Sequence, residues 1–188
     1  MEQDEKRTAY HEAGHAVVAW LLGLACRHVT IEPEGDSLGH VLHKKTHDPK
    51  RRERLASELK PKARDRAYVE SLALCSLAGA AGAGLCIGED FDECGADADY
   101  GNACECLSYL TYMQGRASRD TMELDAYLAY LKYRARNMIQ HNHYAVRKLA
   151  EALLVRRKIA FGEAKRIMIA SFDEWLAESK TKQANAGG

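Results

Sequence analysis

The chain has 188 residues, with 27 Lys and Arg balanced by 27 Asp and Glu, and 46% of its residues are apolar. That length supports one well-buried core and falls short of two independent domains, so a single domain over residues 1–180 is expected, followed by a polar, disordered tail over 181–188. A formal net charge of zero excludes a global field that would draw the chain to nucleic acid or an anionic membrane, so partners must be sought in local sites.

Along the chain, helical spacing of Ala9, Ala13, Ala16, Val17, Trp20, Leu21 and Leu24 predicts a first helix from about Asp4 to Leu22, with Gly23 as its stop. Val29 and Ile31 then alternate with polar residues. Glu34-Gly35-Asp36-Ser37 supplies a turn before a second short strand from Leu38 to Lys44, a hairpin that is the only β structure expected. Asp48-Pro49 opens a further helix and Pro61 breaks it. A long helix is predicted from about Lys62 to Leu85, a loop over GEDFDECGAD, and a helix from about Ala98 to Gln114. From Arg119 onward three helical stretches follow: ELDAYLAYLKYRARNMIQ, HYAVRKLAEALLVRRKI and GEAKRIMIASFDEWLAESK. The fold class is therefore mainly α (α+β), helical with a small N-terminal β-hairpin.

The uncharged run from Ser71 to Gly88 has the length of a membrane span, but Ala, Gly, Ser and Cys dominate it, so it reads as a buried core helix that lets a neighbour approach closely. Six cysteines occur with no signal peptide and no C-x-x-C pair, which points to reduced, mostly buried thiols and a cytoplasmic chain; Cys104 and Cys106 alone are a weak metal signal. Residues 44–66 carry ten Lys or Arg against four acids, without aromatic interleaving or a recognised reading motif. They read as a solvated helix face rather than a nucleic-acid patch. His40, His43 and His47 sit at or beyond the second strand, where exposure is the ordinary reading. Tyr127, Tyr130 and Tyr133 are expected to form a helix–helix seam.

Chemistry concentrates in TAYHEAGHAVVAWLL. On a helix His11 and His15 share one face about a turn apart, so both imidazoles can point at one ion. Glu12, on the neighbouring edge, reaches a metal-bound water without being a ligand itself. That set suits metal-assisted hydrolysis, in which zinc lowers the pKa of water and a carboxylate takes its proton. The plainer reading is two surface histidines on an amphipathic helix. The deep apolar packing expected of this helix weighs against it, since buried histidines need partners. Zinc needs a third protein ligand, and between Glu89 and Asp99 there are six acids and no basic residue.

TAYHEAGHAVVAWLL resembles the zinc helix of the FtsH-type ATP-dependent metalloproteases. The likeness continues in order through HVTIEPEGDSLGHVLH, similar to that family's strand, turn and edge strand, and SLALCSLAGAAGAGLCIGE, similar to its long core helix. GADADYGNA then resembles the segment whose Asp is the third zinc ligand, here Asp99, with Asp97, Asp92 or Glu93 as substitutes should Asp99 not serve. VRKLAEALLVRRKIAFGEAKRIM resembles the closing helices. The resemblance implies Zn²⁺ held by His11, His15 and Asp99, Glu12 as catalytic base, and an edge strand, Leu38 to His43, that takes an extended peptide by β-addition. It also implies a sixfold homo-oligomer.

The chain departs from the family at Ala80, Ala83 and Gly84, where an Arg and a Glu-Glu pair are usual, and the segment from Thr111 to Asn137 does not resemble it. No G-x-x-x-x-G-K-[ST] motif is present, so the expectation is a stand-alone relative, or one that borrows a separate AAA ATPase. The sequence thus points to a zinc metalloendopeptidase acting on unfolded or flexible protein segments, with a zinc-holding but inactive protease-like binding protein as the alternative.

Overall fold

The computed structural model describes residues 2–33, 40–43, 63–88, 97–112 and 121–186. Six helices and three short strands are formed among them: α1 (Glu2–Leu21), β1 (Cys26–Thr30), β2 (His40–His43), α2 (Ala63–Ile87), α3 (Asp97–Tyr112), α4 (Thr121–His141), α5 (His143–Arg156), β3 (Lys158–Ala160) and α6 (Phe161–Ala186). The fold is mainly helical with a small antiparallel sheet, as the hydrophobic periodicity requires. The helix predicted after Asp48-Pro49 lies outside the described residues.

α1 begins among acidic residues, which favour the positive end of a helix dipole. It ends at Gly23, whose φ of 69° suits glycine. The Gly23 N–H donates to Trp20 O and the Leu24 N–H to Ala19 O, which turns the chain back and tucks Leu24 under the helix. Between these ends Ala9, Ala13, Ala16, Val17, Val18 and Ala19 are all fully buried, so α1 runs through the core rather than along its surface.

Its closest neighbour is α2, the long run of small residues. A Cβ on Gly14 would lie 2.5 Å from the carbonyl oxygen of Ala78, and one on Gly82 would lie 2.4 Å from that of Tyr10. The two backbones touch, and only glycine permits it. α2 passes a length-and-hydropathy test for a membrane span over Asp65–Ile87, yet it is the central core helix, packed against α1, α3 and α4.

The sheet has the order β2-β1-β3, so the expected hairpin is present and gains a strand the sequence reading did not foresee. Three residues, Lys158–Ala160, are too few to display a period. β3 forms because Ile159 pairs with Val29 across the second edge of β1 and both side chains enter the core. The chain arrives there through Arg157, whose φ of 62° ends α5 and whose carbonyl oxygen accepts from Ile31 N–H and Thr30 Oγ1. Arg157 also pairs with Glu5, tying the start of α1 to the sheet. α5 closes the core with Ala145, Val146, Leu149, Ala150 and Leu153. α6 continues to Ala186, into the segment expected to be a disordered tail; Lys, Gln and Ala propagate a helix readily and no Gly or Pro intervenes before Gly187.

Candidate metal centre

The α1–α2 crossing places the chemistry. His11 and His15 stand one turn apart on α1, their rings edge to face with centroids 4.6 Å apart. α3 starts beside them and brings Asp99. Its Oδ2 lies 2.9 Å from His11 Nε2 and 3.0 Å from His15 Nε2, and the two Nε2 atoms are 3.0 Å apart. Three ligand-type atoms thus form a nearly equilateral triangle from residues up to 88 positions apart.

The protonation of this triangle follows from its backbone partner. His15 Nδ1 lies 2.7 Å from the carbonyl oxygen of Cys75. A carbonyl only accepts, so Nδ1 carries the hydrogen and the neutral ring turns a lone pair on Nε2 toward Asp99 and His11. An orienting carbonyl behind a histidine is the usual support of a metal ligand. A carboxylate oxygen and a bare imidazole nitrogen at this separation repel unless a cation lies between them. Without an ion, a proton takes that place. Burial alone would push His15 down, but the Asp99 carboxylate and the hydrogen bonds to Asp99 and Cys75 hold it well above 6.5. Burial together with the charge of His15 pushes His11 below its ordinary value, against the pull of its hydrogen bond to Asp99. Asp99 itself would be raised by burial; the two histidines reverse that and hold its carboxyl far below the usual carboxylate range.

Room for an ion is kept by Gly79 of α2. A Cβ there would lie 2.4 Å from His15 Nε2 and 2.5 Å from His11 Nε2, filling the space beside the triangle. Ligands about 2.0–2.2 Å from one zinc-sized ion sit roughly 3.3 Å from each other. The observed separations need only a slight opening. Two imidazoles and one carboxylate form a donor set suited to zinc, with a further position open to water. The residues present therefore fit a divalent metal.

Glu12 completes the site. It is only 4% exposed, and its Oε2 has no hydrogen-bond partner among the described residues. Burial pushes its carboxyl up to about 7. A buried carboxyl oxygen left unpaired is costly and rare in an ordinary core.

Residues 1–67 match a family model, Peptidase family M41. The match takes in HEAGH and stops short of Asp99, so the N-terminal third of the chain is similar to a metallopeptidase family of the FtsH type. The third corner of the triangle rests on geometry alone. No curated protein matches the chain. Where the peptidase family usually carries Arg and two Glu on the core helix, Ala80 and Ala83 instead form a small buried apolar cluster with Ile87.

The structure brings His11, Glu12, His15 and Asp99 together. It adds two participants that no sequence motif marks, the carbonyl of Cys75 and the bare backbone at Gly79; the small residues of SLAGAAGAG are a signal for Gly79 alone. His40 and His43 stand at the two ends of β2, an edge strand. His47, Asp92, Glu93 and most of the basic stretch lie outside the described residues. The tyrosine seam is not formed as expected: Tyr127 donates to Glu70 Oε2 on α2, while Tyr130 and Tyr133 are more than half exposed. A spacing of three residues drifts about 60° per step around a helix, so the three rings cannot share one seam.

One consequence can be measured. In the metal-free protein the raised His15 holds a proton through neutral pH, and an ion must displace it, so affinity for zinc should rise with pH. Titration calorimetry in buffers of differing ionisation enthalpy should show about one proton released per zinc bound near pH 7. Release of none would mean that the triangle is not where the metal binds.

Proposed function

We propose that this chain is a zinc-dependent metalloendopeptidase of the FtsH type. The observation that carries this reading is the buried Glu12 carboxyl, whose Oε2 has no partner among the described residues, next to the His11–His15–Asp99 triangle. A purely structural metal site has no use for a non-ligand carboxyl tuned to about 7.

Zinc bound by His11, His15 and Asp99 would supply a Lewis acid for the scissile carbonyl and lower the pKa of a bound water to about 7. Glu12 takes the proton of the attacking water on its carboxylate. Its buried position then keeps that proton near the reacting atoms, and Glu12 delivers it to the nitrogen of the departing amine. The Cys75 carbonyl holds the His15 ring in the tautomer and orientation the site needs. β2 is an edge strand of the sheet beside α1 among the described residues, a position suited to receiving an extended segment, so unfolded or flexible chains are the fitting substrates.

Zinc-loaded protein should degrade casein, lose that activity in a strong chelator, and regain it when zinc is returned. Stoichiometric zinc without any cleavage would defeat the peptidase reading and leave a protease-like binding scaffold in its place.

A further inference from the structure

Arg7 stands one helical turn before His11 on α1. Side chains on a helix lean toward its N-terminus, so the His11 ring lies over the turn that carries Arg7, and the two residues share a face. Arg7 is half-buried, and its positive charge adds to the forces that disfavour protonation of His11.

Several other arginines of the chain hold carboxylates. Arg134 pairs with Glu70, Arg147 with Glu151, Arg156 with Glu163 and Arg157 with Glu5. Among the described residues Arg7 has no ion pair or hydrogen bond. A half-buried guanidinium with five donors at the rim of a reactive centre, holding no carboxylate among the described residues, is suited to an anionic group brought in from outside. The charge of the site agrees: a divalent ion held by one carboxylate and two neutral imidazoles is already cationic, and Arg7 increases the field.

We propose that Arg7 is a specificity-determining residue that binds a carboxylate of the peptide substrate beside the metal centre. The carboxylate comes from an Asp or Glu side chain near the scissile bond or from the chain terminus. This rests on the peptidase reading, but its test does not require turnover.

The probe is a set of fluorescent alanine-glycine peptides carrying one Glu at successive positions. Each has a Gln counterpart and is made both as C-terminal acid and as C-terminal amide. Binding to zinc-loaded Glu12→Gln protein is read by anisotropy, and cleavage by the unsubstituted chain is read in parallel. Glu at the responsive position should bind about fivefold to tenfold more tightly than Gln. If the terminal carboxylate is the true ligand, the acid should instead exceed the amide by that factor. Adding Arg7→Gln should abolish the difference without changing zinc content, whereas Arg7→Lys should keep part of it, retaining the charge but not the planar fork.

Equal binding of all peptides, or a preference that survives Arg7→Gln, overturns the proposal. If neither acidic nor neutral peptides bind, the peptidase reading falls with it. If neutral peptides bind normally and acidic ones gain nothing, Arg7 alone is refuted.

Discussion

Glu12→Gln is expected to lower peptide hydrolysis by about 10²–10⁴-fold while leaving one zinc per chain in place. Gln keeps the shape of the side chain and can neither accept nor return a proton, and Glu12 is not a corner of the ligand triangle. The same substitution should change stability in a pH-dependent way that identifies the group. In metal-free protein the unfolded carboxyl ionises near 4.5, whereas the folded one keeps its proton until about 7. Between those values the unfolded state is favoured progressively as it gives up a proton that the native state retains, so Glu12 costs stability as pH rises and the cost levels off above 7.

A shift of this size corresponds to about 3 kcal/mol at full effect. Urea unfolding in chelator should therefore find Glu12→Gln gaining on the unsubstituted chain between pH 4.5 and 7, with a constant difference above. Loss of zinc together with activity would show that Glu12 is a ligand, and a difference that does not vary with pH would show that its carboxyl is not held in the buried, unpaired state seen here.

Gly79→Ala should weaken zinc binding by about 10–100-fold and leave the fold intact. The added Cβ meets ring nitrogens of both histidines, which have to turn away. For His15 that means giving up the Cys75 carbonyl that aims it. Gly82→Ala makes a contrasting control. Its Cβ meets the carbonyl of Tyr10, which is backbone, so α1 and α2 must separate, at a cost of about 1–3 kcal/mol in stability. Zinc affinity measured by competition with a chromophoric chelator, alongside urea midpoints, separates the two effects. Normal zinc affinity in Gly79→Ala would place the metal elsewhere.

The sequence by itself determined everything that local periodicity can encode. A 3.6-residue repeat sets His11 and His15 on one face with Glu12 at its edge, whatever the rest of the chain does. The same reasoning locates α1, α2 and α3 within a few residues, because Gly23, Pro61 and the apolar spacing are local signals. Only the tertiary structure shows that Asp99, among the described acids, stands beside the histidines. Asp99 is 88 residues from His11, and no spacing rule selects it over the other acids between Glu89 and Asp99; the family likeness alone did so. The start of α3 beside the α1–α2 crossing settles its place. The Cys75 carbonyl is a backbone group that every residue carries, so nothing in the residue type marks it. Gly79 acquires meaning only when α2 lies against the two imidazoles. β3 exists because β1 has a second edge to pair, and the tyrosines diverge because a three-residue spacing rotates around its helix. Contacts within one turn are a property of the chain, while contacts between elements depend on how closely those elements can pack, and here backbone-to-backbone contact at Gly14 and Gly82 draws the candidate site together.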